Sequence, residues 1–520
     1  MYDNLESSLC TKLNCALMSS SIAVTWISSL LFFLLLAYYV TRTYIFKSRN
    51  KLNPLPPGPK GLPIVGNFFM LGDAVHRDLH RLSTKYGPIM CLRLGFLPTI
   101  VVSSAEAAEL FLRTHDLNFA TRPFNAAAKY ISYDNKGFFT EYGPYWRNVR
   151  KLSTLKLLNH NKIESFGSMR CSEIELLIKS LKDAANLHEI VDVTSKIFAL
   201  NKDMSSLMVF GKKRVESDHD KKSFHEVVQE GMRLAAAPNL AEYIPFLGRF
   251  DLQGIVKRTK AVSKVYDDML DKIIDEHVEV FDKDNLKDFT DVLLDCMASN
   301  DTEFPIGRSN IKAIALDILL GSMDTTATAI DWTLTELIKN PRVMQKVQDE
   351  LAREAGLHRL VEESDLPKLE YLDMVIKESF RLHPVAPLLL PHESIEDCQV
   401  NGFFIPKRSR VIINSWAIGR DPQTWTDPEK FMPERFMGKD IDVRGRDFQL
   451  LPFGSGRRGC PGLSLGYLVV RLVVAQLVHC FDWELPNNMS PDDLDTNEAF
   501  GIVMPRAKHL LVIPKYRLNS

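Results

Sequence analysis

Residues Pro452 to Gly462 read Pro-Phe-Gly-Ser-Gly-Arg-Arg-Gly-Cys-Pro-Gly, and this segment restricts its own local structure more than any other in the chain. Three glycines precede Cys460; glycine adopts positive φ readily and lets the backbone approach a flat ligand closely. Pro461 and Gly462 then lead into an apolar stretch, Leu463 to Val478, with helical spacing. Cys460 is therefore expected at a helix N-terminus, where the macrodipole and free N–H groups favour a thiolate. The thiolate is the form of cysteine that ligates iron, and nearby N–H groups tune its electron donation. A lone cysteine is ordinarily a buried, inert thiol. The glycine-rich approach, the arginine and the following helix favour a ligand here.

The other seven cysteines, at 10, 15, 91, 171, 296, 398 and 480, form no Cys-x-x-Cys pair and no zinc-like spacing. They read as reduced thiols of a cytosolic compartment. With 520 residues, 45% apolar and 25% charged, the chain can bury a large core and is not a disordered sequence. A net charge of -1 gives no basic excess for nucleic acid.

From Ile22 to Val40 there is no charged residue, with a run of leucine and phenylalanine from Leu30 to Leu36 at the centre. About 20 residues span a bilayer core as a helix, so residues 22–40 are expected to be a transmembrane anchor. A cleaved signal peptide would have a shorter apolar run and small residues at its end, whereas Tyr38, Tyr39 and Val40 are bulky. Arg42, Lys47, Arg49 and Lys51 follow the anchor, which puts the C-terminal bulk in the cytosol and residues 1–21 in the lumen. No later segment is expected to be a second span. Residues 41–65, with Pro54, Pro56, Pro57, Pro59 and Pro63, read as a basic, proline-rich and stiff linker.

From residue 66 to 520 no shift of composition marks a second domain. Apolar spacing predicts helices over about 145–160, 170–182, 260–278, 311–338, 341–355, 370–382 and 463–480. Strand-like pieces fall at 90–94, 99–102, around 397–413 and at 509–514. The fold class is mainly α with a minor β part.

Phe453, Gly456, Arg458, Cys460 and Gly462 match Phe-x-x-Gly-x-Arg-x-Cys-x-Gly position for position, so the chain resembles the cytochrome P450 monooxygenases, and most closely the plant microsomal A-type members. The resemblance implies a triangular helical domain with small sheets behind one N-terminal transmembrane helix, haem b as cofactor, and Cys460 as the axial ligand of the haem iron. It also implies that Thr325 steadies dioxygen while Asp324 relays protons, within Gly321-Ser322-Met323-Asp324-Thr325-Thr326. Ser322 stands where many members have glycine, and its hydroxyl is expected to bond the Ile318 carbonyl. Glu378 and Arg381, three apart, match a Glu-x-x-Arg that joins Arg435 of Pro433-Glu434-Arg435-Phe436 in a structural lock. Trp146, Arg150, His392 and Arg458 are expected to clamp the haem propionates.

By the same resemblance, the substrate pocket is lined by Ala126–Ile131, Ala235–Ala237, Asp317–Ser322, Val385–Leu390 and Phe500–Val503. Their apolar character suggests a lipophilic substrate, and plant A-type relatives act on terpenoids, phenolics and alkaloids. Residues 240–250 are expected to dip into the bilayer. The chain has no flavin or nicotinamide fingerprint, so electrons would come from an NADPH-dependent reductase at the endoplasmic reticulum membrane, docking on Arg147, Lys151 and Arg457, with a b-type cytochrome as a further partner. One rival reading is a haem-thiolate isomerase or dehydratase that acts on a hydroperoxide without reductase. The other is a non-enzymatic haem-binding membrane protein.

The topology has a direct consequence. Asn300-Asp301-Thr302 and Asn488-Met489-Ser490 match the N-glycosylation pattern but never meet the lumen. Protein from eukaryotic microsomes should show no mobility shift after glycosidase treatment, and a glycan at either site would contradict the cytosolic placement.

Overall fold

The computed structural model describes residues 54–134, 136–213, 224–285, 287–299, 304–499 and 501–519, together with Trp26, Ser29, Leu30, Phe33 and Ala37. Those five positions of the expected anchor are helical, and Trp26, Leu30 and Phe33 are exposed. The rest of the anchor, residue 500, and the sequon at residues 300–302 lie outside the described residues. By contacts the chain divides into a large unit, residues 57–400 and 405–520, and a small one holding residues 401–404 and the chain before residue 57.

The large unit is built around one helix, Arg308–Lys339, which is buried along most of its length. No single apolar stripe is needed in such a helix, because protein surrounds it. Val193–Phe210 packs on one side of it and Leu463–Cys480 on another. Both Arg308–Lys339 and Leu463–Cys480 are apolar and long enough to span a bilayer, which corrects the expectation that no later segment qualifies. They are 72% and 67% buried inside the protein, as core helices are.

The expected helices are all present: Gly167–Leu187, Ile255–Glu279, Pro341–Ala355, Glu370–Leu382 and Leu463–Cys480 fall close to their expected bounds. The helix expected over 145–160 divides into Pro144–Leu152, a π-turn at Ser153–Leu157 and His160–Ser165. Val75–Tyr86, Val193–Phe210, Phe224–Ala236 and Phe289–Ser299 are further helices that the spacing did not reveal.

Two sheets of three or more strands flank this helical body. In one, Ile89–Leu94 pairs antiparallel with Leu97–Val102, which pairs parallel with Arg410–Ile413, which pairs antiparallel with His392–Glu393. In the other, Leu511–Tyr516 lies between Val191–Asp192 and Phe481–Glu484. The first sheet brings His392 and the preceding residues 385–391 against the helical body.

Glu378, Arg381 and Arg435 form the expected lock. Arg381 donates through Nε and Nη2 to Glu378 at 2.7 and 2.9 Å, and Arg435 Nε donates to Glu378 Oε1 at 2.9 Å. The remaining guanidinium N–H groups reach backbone carbonyls of Gly419, Thr426, Pro428 and Lys430. Every charge here is buried and hydrogen-bonded, so the triad fixes where the loop at 419–436 lies against helix Glu370–Leu382. Removing the shared partner strands two cations: Glu378→Ala should cost about 3–5 kcal/mol in urea unfolding. A loss under ~1 kcal/mol would show that the triad is not a structural lock.

Candidate active site

Cys460 is held by a loop with two tight features. Its N–H donates to the Phe453 carbonyl at 2.8 Å, and the Gly459 N–H donates to the Gly456 carbonyl at 3.1 Å. Gly454 and Gly456 adopt φ of 68° and 69°, but Gly459 does not, so positive φ is required at two of the three glycines and not at all three. A Cβ on Gly456 would lie 2.4 Å from the Leu112 carbonyl. Gly462 caps Leu463–Cys480, and its N–H points at the sulfur. The Phe453 ring packs edge-on against Phe380 at 5.7 Å.

The Cys460 side chain is exposed to the inside of a cavity of about 830 Å³ and not to the outer surface. Burial pushes its thiol up, while the Gly462 N–H and the Arg150 charge pull it back only in part. The helix start alone therefore does not make it a thiolate. A bound metal ion would, since coordination deprotonates a thiol outright.

Trp146, Arg150, His392, Arg458, Phe453, Gly462 and Thr325 line the same cavity as Cys460. Gly456 and Asp324 are not among its lining residues. Arg458 stacks on Trp146 at 4.2 Å and donates to the carbonyls of Ala120, Phe138 and Thr140. The Arg150 side chain makes no hydrogen bond or ion pair with a described residue. Arg122, a third cavity arginine, was not anticipated from the sequence, where Thr121-Arg122-Pro123 carries no periodic signal; it donates to the carbonyls of Leu390 and Pro391 at 2.6 and 2.8 Å. Burial, with repulsion from Arg458 and Arg150, lowers Arg122 to about 9, and burial beside Arg150 lowers Arg458 to about 10. None of the three meets a carboxylate among the described residues.

His392 donates through Nδ1 to the Phe119 carbonyl at 2.7 Å, and burial beside Arg122 holds its pKa well below the usual histidine range. Arg122 adds a further cation to the cavity wall beside His392.

On the facing side, Thr325 Oγ1 donates to the Gly321 carbonyl at 2.6 Å within its own helix, and Asp324 is half-buried. Ser322 corrects the expectation for it: its hydroxyl reaches Ser205 Oγ at 2.9 Å and the Leu319 carbonyl at 3.2 Å, not Ile318. The cause is the neighbouring helix Val193–Phe210, which offers a serine at that level. The expected pocket segments all contribute, and Asn201, Met204 and Met208 of that neighbouring helix join them. Arg457, expected on a docking face, is paired with Asp116 at 2.6 Å and remains exposed, as are Arg147 and Lys151.

The family model described as Cytochrome P450 matches residues 56–513. Among curated proteins, the chain is similar to Cytochrome P450 CYP736A12 of Panax ginseng, 51% identical over 482 residues, which cover 91% of this chain and 96% of that protein. It is 41% identical to Cytochrome P450 84A1 of Arabidopsis thaliana over 493 residues, 91% of this chain and 94% of that one. It is 40% identical to Flavonoid 3'-monooxygenase of Arabidopsis thaliana over 486 residues, 91% and 93% of the two.

Asp317 on the cavity wall makes a pH prediction. Burial raises its carboxyl to about 7, opposed only by the Phe138 N–H that it accepts, and Tyr145 stands nearby. A carboxyl raised on folding binds more protons in the folded state, so its contribution is fully present below the unfolded value and is lost as pH rises toward 7. The thermal midpoint of the wild type should fall from pH 5 to pH 8 relative to Asp317→Asn. Parallel curves for the two proteins would contradict the assignment.

Proposed function

The chain belongs to the cytochrome P450 family and is a haem b monooxygenase; from that premise we propose that it oxidises a small lipophilic compound, drawing electrons from an NADPH-dependent reductase. The observation that carries this reading is Cys460 on its glycine loop, facing a cavity with three arginines that no carboxylate balances. The donor set suits haem b, which brings a flat ring, an iron for the sulfur and two carboxylates for the guanidiniums. When bound, haem b supplies the redox chemistry that cleaves dioxygen and transfers one oxygen atom.

On this reading the Cys460 sulfur would hold the haem iron, and the positive φ of Gly454 and Gly456 would leave room for the loop beside a flat ring. Phe453 and Gly462 shield the sulfur and tune its donation through the Gly462 N–H. Trp146 packs under Arg458, and Arg150, Arg458 and Arg122 hold the propionates. His392, which lines the same cavity and bonds the Phe119 carbonyl through Nδ1, would be the fourth member of the clamp. Thr325, whose hydroxyl donates to the Gly321 carbonyl, keeps its oxygen lone pairs free and would accept a hydrogen bond from a protonated group held in the cavity. Asp324, the preceding residue, exchanges the proton with solvent.

The cavity wall is mostly apolar, with Val385, Leu388, Leu389, Leu390 and Ile502, which supports a lipophilic substrate. Relatives named as flavonoid 3'-monooxygenases make phenolic ring compounds the first class to test, ahead of terpenoids and alkaloids. Exposed Phe246, Phe250 and Leu252 support contact of this region with a bilayer, in keeping with an anchored enzyme of the endoplasmic reticulum. Arg147 and Lys151 are exposed cations of the reductase-docking face, with Arg457, also exposed, neutralised by Asp116. A b-type cytochrome could dock on the same face.

Microsomes holding this protein and the reductase, given NADPH and isotopically heavy dioxygen, should add one heavy oxygen atom to a member of a flavonoid, terpenoid and alkaloid panel. Turnover of a lipid hydroperoxide without NADPH, with no heavy oxygen gained from the gas, would overturn the proposal in favour of an isomerase.

A further inference from the structure

Two segments of the cavity wall are tied together from behind the central helix. The hairpin around residues 497–507 is closed by Ala499 N–H to the Pro505 carbonyl at 2.8 Å and Ala507 N–H to the Asn497 carbonyl at 2.7 Å. Its tip, Gly501 to Met504, lines the cavity. At that tip both backbone groups of Met504 are engaged. The N–H donates to the Val385 carbonyl at 2.9 Å, and the carbonyl accepts from the Trp332 indole N–H at 2.9 Å. Val385 belongs to the second wall segment, 385–390, which follows helix Glu370–Leu382.

Trp332 controls that second segment as well. The His383 ring, two residues before Val385, stacks on the indole at 3.9 Å with an interplanar angle of 4°. His383 Nε2 is hydrogen-bonded to Glu336 Oε1 at 2.8 Å, one helical turn beyond Trp332. Trp332 is 1% exposed and His383 8%, so neither touches the outside, and neither lines the cavity. The indole thus contacts the hairpin through its edge and the His383 ring through its face. A fully buried N–H that reaches a single carbonyl sets a distance sharply, because any displacement strands both groups.

We propose that Trp332, held by His383 and Glu336, is a positioning residue that fixes how far the Gly501–Met504 tip enters the cavity, and thereby which ligands fit above Cys460. The inference rests on the haem reading only for its assay. Its physical content is the spacing of the two wall segments.

The test uses the purified full-length protein loaded with haem, and two probes that bind the iron. Imidazole is small enough to reach iron without touching the wall, whereas clotrimazole must pack against it. Trp332→Phe keeps an aromatic side chain beside His383 and removes the N–H together with the second ring, as Trp483→Phe does at its own site. Trp483→Phe is the matched control, since Trp483 donates its indole N–H to the Leu477 carbonyl at 3.2 Å well away from the cavity lining. Trp332→Phe should keep wild-type imidazole affinity and change clotrimazole affinity by about five-fold or more, the scale of one lost buried hydrogen bond. Trp483→Phe should leave both probes within about two-fold at a similar loss of thermal midpoint. A clotrimazole affinity unchanged in Trp332→Phe, or shifted equally in Trp483→Phe, would overturn the inference. Imidazole binding by the wild type reports separately on the haem reading.

Discussion

Three guanidiniums, Arg122, Arg150 and Arg458, line one cavity and pair with no carboxylate among the described residues, and the surrounding loops hold two of them in place. Burying like charges together is costly unless something opposite arrives. The chain reduces the cost with carbonyls: those of Leu390 and Pro391 for Arg122, and those of Ala120, Phe138 and Thr140 for Arg458. Carbonyl dipoles lower the cost but cannot neutralise it. The segments that supply them are the same ones that shape the cavity, so charge and pocket geometry are a single design.

The contrast with the Glu378–Arg381–Arg435 triad is instructive. Both clusters bury arginines, yet the triad has its carboxylate in place and every donor matched, so it is complete within the protein. The cavity cluster has no such partner among the described residues. One cluster is satisfied within the protein, and the other, on the proposed reading, is left for a bound anion.

Much of this was legible in the sequence where a local rule governs the structure. The Cys460 loop and the helix behind it followed from glycine, proline and apolar spacing, and Glu370–Leu382 put Glu378 and Arg381 on one face by its period alone. Other features depended on what stands opposite in space. Ser322 was expected to bond the Ile318 carbonyl, but it bonds the Leu319 carbonyl of its own helix and Ser205, 117 positions away in sequence. His392 was expected in the clamp, but its bond to the Phe119 carbonyl and its neighbour Arg122 come from distant segments that the sequence did not reveal. Arg122 left no periodic trace, because its function comes from the loop it sits in and the two arginines it meets. The buried helix Val193–Phe210 escaped the spacing rule for a related reason, since protein covers it on several sides and blurs its apolar stripe.

The central claim is that the Cys460 sulfur holds the haem iron, and one spectrum tests it most directly. The wild type, reduced and exposed to carbon monoxide, should show the long-wavelength Soret band of a thiolate-ligated haem, and Cys460→Ser should lose it while the Glu378 triad keeps the protein folded. A Cys460→Ser protein that retained that band would contradict the account.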